Sequence, residues 1–159
     1  MKIIDIIDED FVNYKFPSMT IEFPYCSLKC DKLSGRAVCQ NSLLLSQEKI
    51  EIDVETIIKR YLANDITRAI VCQGLEPMDS FDDLCDLIWI LRYIYFCEDD
   101  VVIYTGYNED EIENKIDVLK KFPNVIVKFG RFLPDQKKHY DETLGIYLAS
   151  NNQYGKRIS

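Results

Sequence analysis

Cys26, Cys30 and Cys39 fall within a 14-residue stretch rich in Lys, Asp, Ser and Gly, the composition of a loop. Three thiols on one polar loop are a soft donor set, suited to a transition metal or an iron–sulfur cluster. A structural zinc site takes four ligands in paired short spacings, and neither a second Cys-x2-Cys nor a His pair accompanies these three. Cys72, at the end of an apolar run, is the further thiol that spacing offers as a fourth ligand. An iron–sulfur cluster ordinarily takes four cysteines, so three would leave one iron open to a small ligand, a reactive arrangement. Spacing alone ranks an open cluster above zinc, and zinc above cysteines without a shared role. Cys85 and Cys97 fall on a helical pattern and read as small buried hydrophobes. The single histidine, His139, sits in a polar stretch and reads as a surface residue, which leaves a Ser or Cys triad without a base.

The elements that must position this loop follow from periodicity. Residues 19–23 alternate after Pro17 and read as a strand that runs straight into the cysteine loop. Asp53 reads as an N-cap, with Val54, Ile57, Ile58, Tyr61 and Leu62 at helical spacing. Residues 68–73 form a short apolar run ending at Gly74, the pattern of a buried parallel strand. A long helix carries Phe81, Leu84, Cys85, Ile88 and Leu91 on one stripe. A strand over 101–105 ends at Gly106, and 109–121 reads as a helix with an acidic start and a basic end. Residues 124–129 give another strand before Gly130, and 144–149 one last strand or short helix in a polar tail over 131–159.

Alternating strands and helices predict an α/β protein with a mostly parallel sheet, one domain over 1–159. The unusual residues all follow strands: the cysteine loop over 24–41, Gly74-Leu75-Glu76-Pro77, Thr105-Gly106-Tyr107, and Gly130-Arg131. In a parallel sheet the C-terminal strand ends share one edge, where ligands bind, so four loops converge on one site. Taken singly, Glu76-Pro77 reads as a helix start, and Lys128 and Arg131 as solvated charges.

Composition narrows the partners. Hydrophobic residues make up 47% of the 159, enough for a core. Lys plus Arg number 19 against 27 Asp plus Glu, a net charge of -8 that argues against nucleic acid. The longest apolar run, 87–96, is broken by Arg92 and is too short to span a membrane. An acidic start, without the basic stretch of a signal peptide, places the expectation in the cytoplasm, where thiols stay reduced.

Cys26-Ser27-Leu28-Lys29-Cys30, opening directly after the first good strand, resembles the start of the radical S-adenosylmethionine (SAM) motif. Gly74-Leu75-Glu76-Pro77 resembles the Gly-Gly-Glu-Pro motif that follows that superfamily's second strand, and Tyr104-Thr105-Gly106-Tyr107 its third-strand motif. The segment Ala149-Ser150-Asn151-Asn152-Gln153 is similar to the C-terminal part of the activating proteins of anaerobic ribonucleoside-triphosphate reductase. The likeness runs in order from about residue 19 to 158. The chain departs from the pattern in three places: eight residues separate Cys30 from Cys39 where the family usually has two, Val38 replaces an aromatic, and Leu75 replaces a glycine.

The resemblance implies a 4Fe-4S cluster on Cys26, Cys30 and Cys39 that binds SAM. It implies that Glu76, with the backbone of Gln73, Gly74 and Leu75, meets the methionine ammonium, and that Thr105 and Tyr107 meet the ribose or adenine. Lys128 or Arg131 would meet the methionine carboxylate, and Asn41 would lie near the cofactor. The partners implied are a glycyl-radical enzyme, here an anaerobic ribonucleotide reductase, and an electron donor such as flavodoxin or ferredoxin. A complete (β/α) barrel takes about 250 residues, so the expected architecture is an incomplete (β/α) barrel with a broad open side. That opening favours a protein substrate over a small metabolite, since radical chemistry needs shielding from water. The alternatives are a radical SAM enzyme acting on a peptide or small molecule, and a non-catalytic metal-stabilised binding module.

Overall fold

The computed structural model describes residues 1–159. Its centre is a run of four parallel strands, β3 (Ser18–Phe23), β5 (Ala69–Gly74), β6 (Asp100–Tyr104) and β7 (Val125–Phe129). Two antiparallel strands flank them, β2 (Asp5–Asp10) beside β3 and β10 (Tyr154–Arg157) beside β7. The sheet order is β10-β7-β6-β5-β3-β2, and the sheet is open, with β2 and β10 as its edges. The four parallel strands were legible as near-continuous apolar runs because both of their faces are covered. Strand β2 reads Asp-Ile-Ile-Asp-Glu-Asp, and its charges are what an unpaired edge requires to discourage further strand pairing.

Three helices, α2 (Val54–Leu62), α3 (Phe81–Tyr93) and α4 (Glu113–Leu119), cover one face. Ile57 and Ile58 of α2, Leu84, Leu87 and Ile88 of α3, and Ile116 of α4 pack there against Met19, Ile21, Ile70, Ile103 and Val127. Burial of each such side chain contributes about 1.5–3 kcal/mol. No helix is long and apolar enough to cross a membrane.

The opposite face has no helix. Its apolar part, Ala69, Val71, Val102 and Ile126, is covered by Tyr14 from the turn after β2 and by Leu144 and Leu148 of a C-terminal hairpin. That hairpin pairs β8 (His139–Asp141) with β9 (Ile146–Leu148). The turn and the hairpin clasp each other: the Lys15 N–H donates to the Leu144 carbonyl at 2.8 Å. Gly145 is required there, because its φ is +71° and a Cβ would collide with Lys15. Asp10 anchors the turn by accepting from the Val12 N–H, the Asn13 amide and the Thr20 hydroxyl.

Four further elements complete the chain: β1 (Lys2–Ile3) paired with β4 (Ile50–Glu51), α1 (Lys29–Ser34) within the cysteine loop, and a short helical turn at Ser42–Ser46. Several of these departures from the sequence reading have local causes. The expected helix over 109–121 is split: the Glu111 carboxylate reaches back to accept the Asn108 N–H at 2.8 Å and closes one short turn over Glu109–Glu111 before α4 starts. The region 144–149 resolves as strand β9. His139 is not a free surface residue: it is half-buried in β8, its Nδ1 enclosed without a partner.

Candidate functional site

A cavity of about 380 Å³ opens at the C-terminal ends of the parallel strands, and Cys26, Cys30 and Cys39 all line it. None of the three is in a disulfide, and each is half-buried. Leu28, at the start of α1, adopts φ +54°, and the Cys26 Sγ accepts the Leu28 N–H at 3.3 Å. The eight residues between Cys30 and Cys39 fold back on themselves. They form α1 up to a left-handed Gly35, and Asp31 then accepts the N–H groups of Val38 and Cys39 at 2.8 and 2.9 Å. One carboxylate thus returns Cys39 to the same cavity as Cys26 despite the long spacing.

A second clamp holds the loop's start. Asp79, just beyond β5, accepts the Ser27 N–H at 2.8 Å and the Tyr107 hydroxyl at 2.7 Å. Burial pushes the Cys26 thiol up to about 11, opposed by the Leu28 N–H and reinforced by the charges of Glu76 and Asp79. Cys30 is raised as well, chiefly by burial. Metal-free, these are thiols at neutral pH, and a cationic metal centre is what would draw them to thiolate.

Gln73, Gly74, Leu75 and Glu76 line the cavity together, at the end of β5. Glu76 is 4% exposed and carries two structural duties. One oxygen accepts the Met78 N–H at 3.1 Å, capping the turn at Pro77–Ser80, and the other accepts the Gly106 N–H at 2.8 Å. The helix-start reading of Glu76-Pro77 is therefore correct for its backbone, while its carboxylate still faces the cavity. Burial pushes it up to about 7, against the lowering effect of the Gly106, Thr105 and Met78 donors. The Asn41 amide donates to the Gly74 carbonyl at 2.7 Å, tying the far side of the cysteine loop to the same strand end.

Thr105 and Lys128 also line the cavity. Lys128 is 7% exposed and Arg131 8%, so neither is the solvated charge that each would be in isolation. The Lys128 ammonium donates to the Gly130 carbonyl at 2.9 Å, and burial pushes it down to about 8, with Glu76 and Cys30 opposing. Tyr107 and Arg131 are not among the lining residues. Tyr107 is turned into the Asp79 clamp, its ring 4.4 Å from the Lys29 ammonium, and Arg131 is paired with Glu111.

Cys72 is separated from the other three. Strand alternation turns it into the helix-covered core, fully buried beside Ile103, while its neighbour Gln73 faces the cavity. Burial raises its thiol strongly. The possible fourth ligand of the spacing argument thus lies on the wrong face of the sheet. Sequence reasoning also passed over Glu22 and Tyr104, which line the cavity from β3 and β6. The available signal for Glu22 was a charge placed among apolar residues in a strand otherwise wholly buried.

No three His, Cys, Asp or Glu side chains are drawn close enough to hold a single metal ion between them. The donor set nonetheless suits a cluster, whose cysteines each bind a different iron, because three unpaired thiols border one cavity beside a buried carboxylate and a buried ammonium. No family model, curated protein or solved structure matches this chain.

Proposed function

We propose that this chain holds a 4Fe-4S cluster on Cys26, Cys30 and Cys39 and binds SAM against it. In this reading it is an activase of the radical SAM type, built on an incomplete (β/α) barrel. The observation that carries the reading is the convergence of all three cysteines with Glu76, Thr105 and Lys128 on one cavity at the C-terminal edge of a parallel sheet. Held by Cys26, Cys30 and Cys39, the cluster would supply one-electron reductive cleavage of SAM to methionine and a 5′-deoxyadenosyl radical.

The chain's own residues have defined parts in this reading. The Glu76 carboxylate is fixed by the Gly106 N–H and lies ready for the methionine ammonium, whose charge would favour its ionised form. The Lys128 ammonium faces the same cavity and suits the methionine carboxylate better than Arg131, whose fork is occupied by Glu111. Thr105, which lines the cavity, would meet the nucleoside, with Asn41 holding the loop wall. In this reading Tyr107 acts on the loop's position through its bond to Asp79.

The sheet's free edges leave the cavity without the enclosing wall of a complete barrel. A polypeptide that closes the opening would shield the reaction, which favours a glycyl-radical enzyme as substrate, with an anaerobic ribonucleotide reductase as the specific expectation. An electron carrier such as flavodoxin or ferredoxin would supply the reducing equivalent.

The test is anaerobic reconstitution with iron and sulfide, followed by SAM and dithionite and an assay for 5′-deoxyadenosine. Product that disappears in the triple-cysteine variant supports the reading. A full cluster with no product overturns SAM cleavage, and no cluster at all overturns the ligand assignment in favour of a non-catalytic metal-binding module.

A further inference from the structure

Glu22 is the one buried or half-buried carboxylate in this protein that receives no hydrogen bond. The others are all engaged: Asp10 by Thr20 and Asn13, Glu76 by Met78 and Gly106, Asp79 by Ser27 and Tyr107, Asp141 by Leu144 and Gly155. Asp8, Asp31, Asp83, Asp99, Asp100 and Glu109 each accept a bond as well. Glu22 instead lines the cavity and is half-buried there. A carboxylate held partly out of water without a donor is unfavourable, and the cost is removed when a ligand supplies the donor.

Its neighbours define what that ligand carries. Glu22 pairs in register with Gln73 of β5 on one side and with Asp5 of β2 on the other. Paired residues project from the same face of a sheet, so the Gln73 carboxamide stands next to the carboxylate on the cavity wall, and it too has no side-chain partner within the protein. The charge acting on Glu22 is Asp5's, which repels. The cavity's cation, Lys128, lies three strands away in the sheet order, roughly 14 Å at ordinary strand spacing. An unneutralised carboxylate beside a carboxamide, whose oxygen is a further acceptor, is complementary to a cation with several N–H donors. Val12 and the hairpin residues Ile146 and Tyr147 wall the same cavity, giving apolar surface for an alkyl stem.

We infer that Glu22, with Gln73 beside it, forms a recognition pocket for a positively charged side chain, arginine or lysine, on the polypeptide presented to the cysteine end of the cavity. The inference rests on the reading of the substrate as a polypeptide. The chain's net charge of -8 acts in the same direction, drawing a basic segment toward the opening.

The test uses two fluorescein-labelled pentapeptides, Gly-Gly-Arg-Gly-Gly and the same sequence with neutral citrulline, titrated by anisotropy into the full chain before and after anaerobic cluster reconstitution. The arginine peptide should bind at least about tenfold more tightly than the citrulline peptide, the loss expected for one charge-assisted pair. Glu22→Gln should abolish that preference, and Glu113→Gln, on the distant helix α4, should leave it intact. Equal binding of the two wild-type titrations, absence of binding by both, or a preference retained in Glu22→Gln would each overturn the pocket. The wild-type comparison needs no variant to fold. The reconstituted preparation is also assayed for 5′-deoxyadenosine: an arginine preference without that product keeps the pocket and discards the activity, and product without the preference does the reverse.

Discussion

The Arg131 guanidinium grips the Glu111 carboxylate through both terminal nitrogens, at 2.6 Å each, and so joins the segment after β7 to the short turn before α4. This bidentate pair turns the fork away from the cavity that Lys128 faces. The Arg131 bonds, ahead of any other cause, hold the Glu111 carboxyl well below its ordinary value of 4.5, at about 2. A carboxylate lowered on folding stabilises the native state above its unfolded value and loses that contribution as pH falls. The expected loss therefore runs from pH 4.5 down through about 2. Because Glu111 is 29% exposed in its side chain, solvent screening limits the contribution to on the order of 1 kcal/mol. Urea unfolding of wild type and Glu111→Gln should differ by that amount at pH 7 and converge toward pH 2; a constant difference would contradict the assignment.

Gly74 ends β5 at φ +96°, and a Cβ there would lie 2.8 Å from the Phe23 nitrogen and 2.9 Å from the Glu22 Cα. Both obstacles are backbone, so side-chain adjustment offers no relief. Gly74→Ala should lower stability by about 2–4 kcal/mol, measured by denaturant midpoint. A change within about 0.5 kcal/mol, the usual range for surface substitutions, would show that the two strands separate more easily than the close approach implies.

Arg92 is 5% exposed and spends its donors on the carbonyls of Pro123, Cys97, Asp99 and Asn124. It fastens the C-terminal end of α3 to the entries of β6 and β7. Arg92→Met keeps much of the stem but leaves those carbonyls unpaired, and should cost about 3 kcal/mol or more. Thermal unfolding should report a clear fall in Tm, while Arg92→Lys, with fewer and non-planar donors, should recover only part of it.

Cys26→Ala, Cys30→Ala and Cys39→Ala should each prevent full cluster assembly, measured as bound iron and acid-labile sulfide, whereas Cys85→Ala should not. Asp31→Ala gives a finer test. It keeps every thiol and removes only the acceptor that folds the insertion back onto Cys39, so cluster yield should fall while the fold is retained. A full 4Fe-4S signal in Cys39→Ala would refute the ligand set.

Glu76→Ala should weaken SAM binding by calorimetry and also lower stability by about 1–3 kcal/mol, since the buried Gly106 and Met78 N–H groups lose their acceptor. Unchanged SAM affinity together with the stability loss would leave Glu76 a purely structural residue.

The four parallel strands were legible because burial on both faces writes an apolar run into the sequence, and α2 and α3 because each buries a stripe against the sheet. The short strands β1, β4, β8 and β10 were not legible. They are two to four residues long and mostly exposed; partners distant in sequence fix β1, β4 and β10, and the hairpin partner β9 fixes β8, where local pattern does not. Within the site, the convergence of Cys26, Glu76 and Thr105 followed from their shared place after strands, while Lys128 reaches the cavity from within β7 by strand alternation. The fates of Tyr107 and Arg131 depended on Asp79 and Glu111, single partners that no spacing rule identifies. Cys72 and Gln73 were separated by the two-residue strand period alone, a distinction the sequence contains once the strand's buried face is known.

The clasp between Lys15 and Leu144 has a consequence for assembly. The floor beneath the cysteines joins residues from opposite thirds of the chain, so closing it carries the loop-closure entropy of more than a hundred intervening residues. Such non-local contacts are slow to form. During synthesis the parallel strands and all three thiols exist before residues 144–148 do, leaving the cavity accessible from the face that the hairpin later seals. Closure of the cavity's floor is thereby separated in time from formation of its walls, and that order is set by the position of one hairpin in the sequence.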